Sequence, residues 1–375
     1  MKEKTLVCKS CVMDSTADEF VANEDGTCNF CNGYKVDEKK ATFSFSDLEP
    51  VLDAIKRYGK GKKYDCIIGV SGGVDSTYVA YLVKHFGLRP LAVHLDNGWN
   101  SELAVDNVKK TLDKLGIPLY THVLNWKEFK ELQIAFLKAS IPGMEIPTDH
   151  AITALLYRSA LKNNVKYIIN GSNYRMEKIM PRSWSEFRGQ MDFHLIKSVY
   201  KQFTGKKLKH YPGFSLFEML KWKGLDKIKV VNILDYVDFN KDEAMECIQN
   251  ELGWVYYGGK HYESIYTRFT QAYIQPKKFN LDKRKAHYSN LICAGMMDRE
   301  GALKRLEENP YPDLEMEKRD LLYFKKKLNF SDEEFEKMMK ENTKTYMDYP
   351  CIDNNGFFQA VEKIAIRVNN LLKGR

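Results

Sequence analysis

The sequence contains no apolar run of about 18 residues or more, so no segment reads as a membrane-spanning helix. Its opening residues, MKEKTLVCKSC, lack the apolar stretch of a secretory signal. A cytoplasmic location is therefore expected, where the eight cysteines stay reduced. There is no internal repeat, no low-complexity segment and no long basic tract. Lys+Arg 58 against Asp+Glu 50 leaves a net charge of +8. That mild excess suits phosphorylated or nucleotide-linked substrates as well as nucleic acid, and nucleic acid is not the expected partner. With 375 residues, 44% of them apolar, the chain is long enough for two or three domains with a real core.

Four of the eight cysteines stand within the first 45 residues, as Cys8-x2-Cys11 and Cys28-x2-Cys31. Two such knuckles can place four thiolates tetrahedrally around one ion, and soft sulfur in a closed site suits structural zinc. A redox or sulfur-carrying pair is the less favoured use of the same residues. A segment with so few large aliphatic side chains needs an ion to fold. The charged run Lys35–Lys40 reads as a linker that closes this N-terminal domain, residues 1–45.

From residue 46 the pattern alternates. Strands are expected at Cys66–Val70, Leu91–Leu95, Leu119–Leu124, Tyr167–Asn170 and Lys229–Ile233. Helical patterns lie between most of them, at Asp75–Phe86, Ser101–Leu115, Trp126–Ala139 and Asp149–Asn163. This βαβ rhythm predicts an α/β domain over residues 46–250 with a five-stranded parallel sheet covered on both faces. Ligands then bind at the carboxyl ends of the strands. Residues 175–227 break the rhythm and read as an insertion or lid. Residues 251–375 read as a mostly helical, charged, substrate-binding C-terminal domain.

Between the first strand and its helix lies Ser71-Gly72-Gly73-Val74-Asp75-Ser76. The two glycines permit a tight turn and a close approach to an anion. Backbone N–H groups and the helix N-terminus then face it, with the Ser71, Ser76 and Thr77 hydroxyls as further donors. Asp75 beside phosphates implies a cation between them, hence Mg²⁺. The lysine of a G-x4-G-K-[ST] loop is missing.

SGGVDS resembles the PP-loop of the N-type ATP pyrophosphatases. That resemblance implies the PP-loop (adenine nucleotide alpha-hydrolase-like) sheet, and ATP as substrate. The β- and γ-phosphates are gripped and leave together, while the α-phosphate is attacked. LAVHLDNGWN and YIINGSNYRMEK resemble the family's second and fourth strands, which places Asp96, Gly171 and Ser172 near the nucleotide and gives Ser71 and Asp75 catalytic roles.

In residues 258–303 the density of charged and aromatic side chains is high for a packed core. Lys260, His261, Glu263, Arg268 and Arg284 could bind a polar, anionic ligand there. This stretch, the N-terminal cysteine segment and IPTDHAI at 146–152 together resemble the N-acetyl sugar amidotransferase family of O-antigen and pseudaminic- or legionaminic-type pathways. The resemblance implies that an acetamido group on a bacterial sugar becomes an acetamidino group, with Asp149 and His150 at the substrate and Lys260 and Arg284 assisting. Cys66 reads as core, and Cys247, Cys293 and Cys351 lack the setting of a glutaminase nucleophile. Ammonia is then expected from a separate glutaminase and a cyclase-like barrel subunit, as the family implies. A tRNA-thiolating PP-loop enzyme is the first competing reading. A zinc-knuckle binding protein with a vestigial ATPase fold is the second.

Overall fold

The computed structural model describes residues 5–41, 44–185, 190–259, 262–311, 313–356 and 359. Its centre is a five-stranded parallel sheet: β1 (Cys66–Gly69), β2 (Pro90–Asp96), β3 (Leu119–Val123), β4 (Tyr167–Asn170) and β5 (Lys229–Asn232). The spatial order is β3-β2-β1-β4-β5, so the order reverses between β1 and β4. Register pairs Ile67 with Leu91 on one side and with Ile168 on the other.

Successive side chains of a strand point to opposite faces, and the core divides accordingly. Ile67, Leu91, Val93 and Leu95 pack on one face against the helices Trp126–Ala139 and Ile146–Lys162 and the C-terminal helices. Cys66, Ile68 and Ala92 pack on the other, against Phe45–Gly59, Val74–His85 and Lys241–Leu252. The parallel α/β sheet expected from the sequence is therefore present, with every expected strand in place.

The structure corrects one expectation and adds detail to the rest. The run Lys35–Lys40 is not a loop linker but part of the helix Asn29–Ala41, which the knuckle starts. A helix precedes β1, Phe45–Gly59, opened by a Ser44/Asp47 capping box and burying Leu48, Leu52 and Ile55. The stretch 175–227, read as an insertion or lid, is anchored in the domain by part of its described length. Its helix Phe193–Thr204 buries Leu195, Ile196, Val199 and Tyr200 in the main core beside Trp126–Ala139.

The N-terminal knuckle docks onto the C-terminal region. Tyr34 and the four cysteines share an apolar cluster with Ile179, Trp184, Leu281 and Ala286. The Arg299 guanidinium donates to the carbonyls of Cys8 (2.8 Å) and Cys11 (3.0 Å). Lys285 pairs with Asp14 at 2.5 Å.

In the C-terminal region, Ile265–Phe269 runs through a π turn, Thr270–Ile274, into Gln275–Phe279. Its Phe269 lies 4.6 Å, centroid to centroid, from Phe324 of the helix Leu314–Leu328. Lys327 of that helix sits over Trp99 (4.9 Å) and Trp126 (5.1 Å) and donates to the Gly98 carbonyl, fastening the region to the turn after β2. Arg268 forks onto Asp320 at 2.6 and 2.8 Å, and Tyr311 donates to the same carboxylate at 3.0 Å. Both charges are shielded, the side chains being 12% and 7% exposed. Removing one partner leaves the other charge buried. Asp320→Ala should therefore cost roughly 3–5 kcal/mol of stability, read as a lowered denaturant midpoint; a loss below about 1 kcal/mol would make the pair incidental.

Candidate active site at the carboxyl ends of β1 and β4

β1 stops at Gly69, and the chain turns at Ser71–Gly73 into the helix Val74–His85. Gly72 adopts φ +85°, and a Cβ there would meet the Ala104 carbonyl oxygen at 2.5 Å. Glycine is thus required both by conformation and by close approach. The turn holds itself by short polar contacts. The Ser71 hydroxyl accepts from the Gly73 N–H at 3.3 Å and meets the Ser76 hydroxyl at 3.2 Å. The Trp254 indole N–H donates to the Gly72 carbonyl at 2.9 Å and fixes the loop from below.

Above the loop opens a cavity of about 480 Å³. Ser71, Gly73, Val74, Asp75, Ser76, Gly171 and Ser172, all expected at a nucleotide, line it. Gly171 brings β4 against the loop: a Cβ there would lie 3.3 Å from the Asp75 carbonyl carbon. Gly72 and Asp96 are not in the wall; the Asp96 carboxylate accepts from the Gly98 N–H at 2.8 Å at the end of β2. His94 is in the wall, with Nδ1 donating to the Val70 carbonyl (2.7 Å) and Nε2 accepting from Asn100 (3.0 Å).

The residues expected to bind substrate separate into groups. Asp149 and Glu263 line the loop cavity. Lys260 and His261 lie outside the described residues. Arg268 and Arg284 line a second, larger cavity of about 820 Å³. Their guanidinium groups are engaged within the chain, Arg268 by Asp320 and Arg284 by Asp282 (2.7 Å) and by carbonyls of residues 305–308 at a helix end. His150 does not reach the cavity. It is fully buried between ring faces, its centroid 3.9 Å from that of Phe214. Its Nδ1 donates to the Gln190 carbonyl (2.8 Å), and its Nε2 accepts from the Phe214 N–H (3.0 Å). Burial pushes its pKa down to about 4. His150 is a neutral pin that ties residues 190–214 to the helix Ile146–Lys162.

The structure adds wall residues that sequence reasoning missed. Glu145, Thr148, Tyr257, Thr267, Gln271 and Lys283 all line the loop cavity. Lys241, Gln271 and Lys283 line both cavities, so the two share a wall. The Tyr257 hydroxyl accepts from the Val74 N–H and donates to Glu263, directly over the loop; burial, then the Glu263 charge, raise its pKa. Asp149 is pushed up to about 7, first by burial and then by the neighbouring Glu145 charge, with Lys283 opposing.

At the N-terminus, the sulfurs of Cys8, Cys11, Cys28 and Cys31 lie within 4.8 Å of one another, all buried. Three sulfur pairs are 3.6, 3.7 and 3.8 Å apart. Four thiolates about 2.3 Å from a zinc ion stand about 3.8 Å from each other at the corners of a tetrahedron, so the donors fit the ion. Among the described residues no other set of three or more His, Cys, Asp or Glu ligand atoms gathers so closely. The carboxylates of Asp75 and Glu263 in the loop cavity thus form no all-protein cage. They fit Mg²⁺ held by one or two carboxylates plus phosphate oxygens.

Loop, sheet order and cavity fit the PP-loop type of α/β fold expected from the sequence. Residues 263–365 match the family model described as "LPS biosynthesis protein WbpG-like, C-terminal domain". That match bears out the N-acetyl sugar amidotransferase family read from the sequence. The tRNA-specific 2-thiouridylase MnmA of Clostridioides difficile is 29% identical over 50% of this chain and 50% of its own. The protein of the same name from Clostridium beijerinckii is 36% identical over 31% of this chain and 37% of its own. The chain spans about half, or less, of the length of these curated relatives. Among solved structures, NH3-dependent NAD synthetase from Campylobacter jejuni aligns with TM-score 0.28 and 15% identity, over 56% of this chain and 84% of that one. No helix among the described residues is long and apolar enough to cross a membrane.

Two outcomes are expected. The purified protein should carry close to one zinc per chain by elemental analysis, and Cys28→Ser should lose it together with thermal stability; unchanged zinc content would overturn the assignment. His150 binds its proton in the unfolded chain near pH 6.5 but in the fold only near pH 4. Its contribution is therefore complete above pH 6.5 and falls away as pH drops from 6.5 to 4, by on the order of 3 kcal/mol. Urea melts across that window should show a shallower pH slope for His150→Gln than for the wild type.

Proposed function

We propose that the protein is an ATP-dependent amidotransferase that converts the acetamido group of a bacterial N-acetyl sugar, nucleotide-linked or a nonulosonic acid, into an acetamidino group. AMP and pyrophosphate are the other products. One observation carries the reading. The segment that matches the WbpG-like domain, residues 263–365, supplies Glu263, Ser264, Thr267, Gln271 and Lys283 to the same cavity wall as the lysine-free loop. The lysine-free loop and the segment similar to the WbpG-like domain line one space, which supports a reaction between a nucleotide phosphate and a sugar.

The chemistry follows from the weakness of an amide as an electrophile. Its oxygen attacks the α-phosphate of ATP, the bond to the β-phosphate breaks, and pyrophosphate leaves. Loop N–H groups and the helix Val74–His85 stabilise the departing charge. Asp75 and Glu263 would hold Mg²⁺, which would supply charge neutralisation at the phosphates when bound. Ammonia then displaces AMP from the O-adenylyl imidate, a step that calls for water to be kept away, since water would restore the amide. The nitrogen comes from a separate glutaminase through a cyclase-like barrel subunit.

The names of the curated relatives raise tRNA thiolation as the second reading. Sulfur transfer calls for a reactive thiol near the α-phosphate. Among the described residues no cysteine lines either cavity, and Cys66 is sealed inside β1, where burial pushes its thiol pKa up.

Pyrophosphate release should depend on an acetamido sugar from a panel of UDP-linked, CMP-linked and free forms, with the amidine product seen by mass spectrometry. Release that depends on tRNA instead would replace this reading with thiolation. Asp75→Asn should cut release at least 100-fold with zinc content unchanged; near-normal turnover would remove Asp75 from its role.

A further inference from the structure

The helix Ile146–Lys162 opens beside the loop cavity, with Glu145 as its N-cap and Asp149 in its first turn. Residues four apart share a helix face, where two like charges repel. Both carboxylates line the loop cavity. They are held differently. Glu145 accepts from the Thr267 hydroxyl at 2.6 Å and from the Gln271 amide at 3.2 Å, so both its oxygens are engaged. Asp149 accepts one neutral donor, the Gln190 amide, at 2.9 Å. Glu145 is therefore held through both oxygens, and Asp149 is the member of the pair with an oxygen left over for a further partner.

We propose that Asp149, with Glu145 as its positioning partner, is the group that takes a proton from the arriving ammonium and then pairs with the amidinium product. This rests on the amidotransferase reading above. Ammonium has no lone pair and cannot attack carbon. Transfer of one proton to the Asp149 carboxylate leaves ammonia, whose lone pair forms the new C–N bond at the imidate carbon. The C–O bond to AMP breaks, its electron pair leaving with AMP. The amide N–H proton is lost to solvent when the oxygen is adenylylated, so the imidate nitrogen is neutral. The three hydrogens of ammonia then end on the amidinium, and the fourth ammonium proton rests on Asp149 until it is lost to solvent. The amidinium is planar, with paired N–H donors that match a carboxylate fork as a guanidinium does.

Other groups set the proton affinity. Burial and the Glu145 charge raise it to about 7, and Lys283 opposes them. Tyr211 faces the same carboxyl from the 205–215 segment, its hydroxyl donating to the Pro147 carbonyl at 2.6 Å. A base with its pKa near the working pH combines a useful ionised fraction with a real pull on the proton.

Two measurements test this on the full chain. The first needs no sugar: carboxyl-carbon NMR of the labelled protein, with the Asp149 signal assigned by its disappearance in Asp149→Asn. The midpoint should lie near pH 7, fall towards the ordinary carboxylate range in Glu145→Gln, and move on addition of acetamidinium chloride. A midpoint below about 5 with no response to acetamidinium would overturn the proposal. The second compares nucleophiles with whichever panel sugar supports pyrophosphate release. At neutral pH hydroxylamine is largely unprotonated and needs no base. Asp149→Asn should lose at least 100-fold with ammonium, and at least tenfold less than that with hydroxylamine. Equal losses with the two nucleophiles would overturn the proposal. A wild-type protein that releases no pyrophosphate with any sugar sinks the amidotransferase reading itself, and the NMR result then decides the carboxyl pair alone.

Discussion

The whole site depends on a steric fact at one residue. Gly72 turns the chain with a left-handed backbone against the Ala104 carbonyl, with no room for a side chain. This lets the helix Val74–His85 start directly at the end of β1 and aim its N-terminus into the gap where the strand order reverses. From there the rest follows in layers. Trp254 holds the turn from one side and Gly171 lets β4 close against it from the other. Tyr257 and Glu263 reach over the top from the C-terminal region.

The second organising feature is the sharing of one cavity by distant parts of the chain. The helix Ile146–Lys162 brings carboxylates from the sheet side, and the π-interrupted helical run from Ile265 brings a hydroxyl and an amide to meet them. π turns often sit at working parts of helices, and here one carries Gln271 at the junction of the two cavities.

The sheet was legible because parallel strands buried on both faces read as short apolar runs between turn signals, and CIIG and YIIN are such runs. The loop was legible because its residues are contiguous. The cysteine tetrad was legible from spacing alone, since four soft ligands in two pairs have few other uses. What failed was anything that depends on a distant partner. Arg268 looks like a ligand-binding arginine until Asp320, 52 residues on, is seen to fill its fork. Arg284 was chosen, whereas its neighbour Lys283 lines both cavities, because helix phase cannot be read in so polar a segment. His150 sits beside Asp149 in sequence, yet one is a sealed structural pin and the other a cavity residue, as adjacent helix positions point about 100° apart. The helix Phe45–Gly59 did carry a signal, the Ser44/Asp47 box with Leu48, Leu52 and Ile55 at helical spacing.

The contact of Arg299 with the carbonyls of Cys8 and Cys11 couples segments that are far apart in sequence. Residues 8–34 pack in one apolar cluster with Ile179, Trp184, Leu281 and Ala286, and Lys285 reaches back to Asp14. Loosening of the cysteine knuckle therefore takes packing and hydrogen-bond partners away from the helices that follow Leu281 as well.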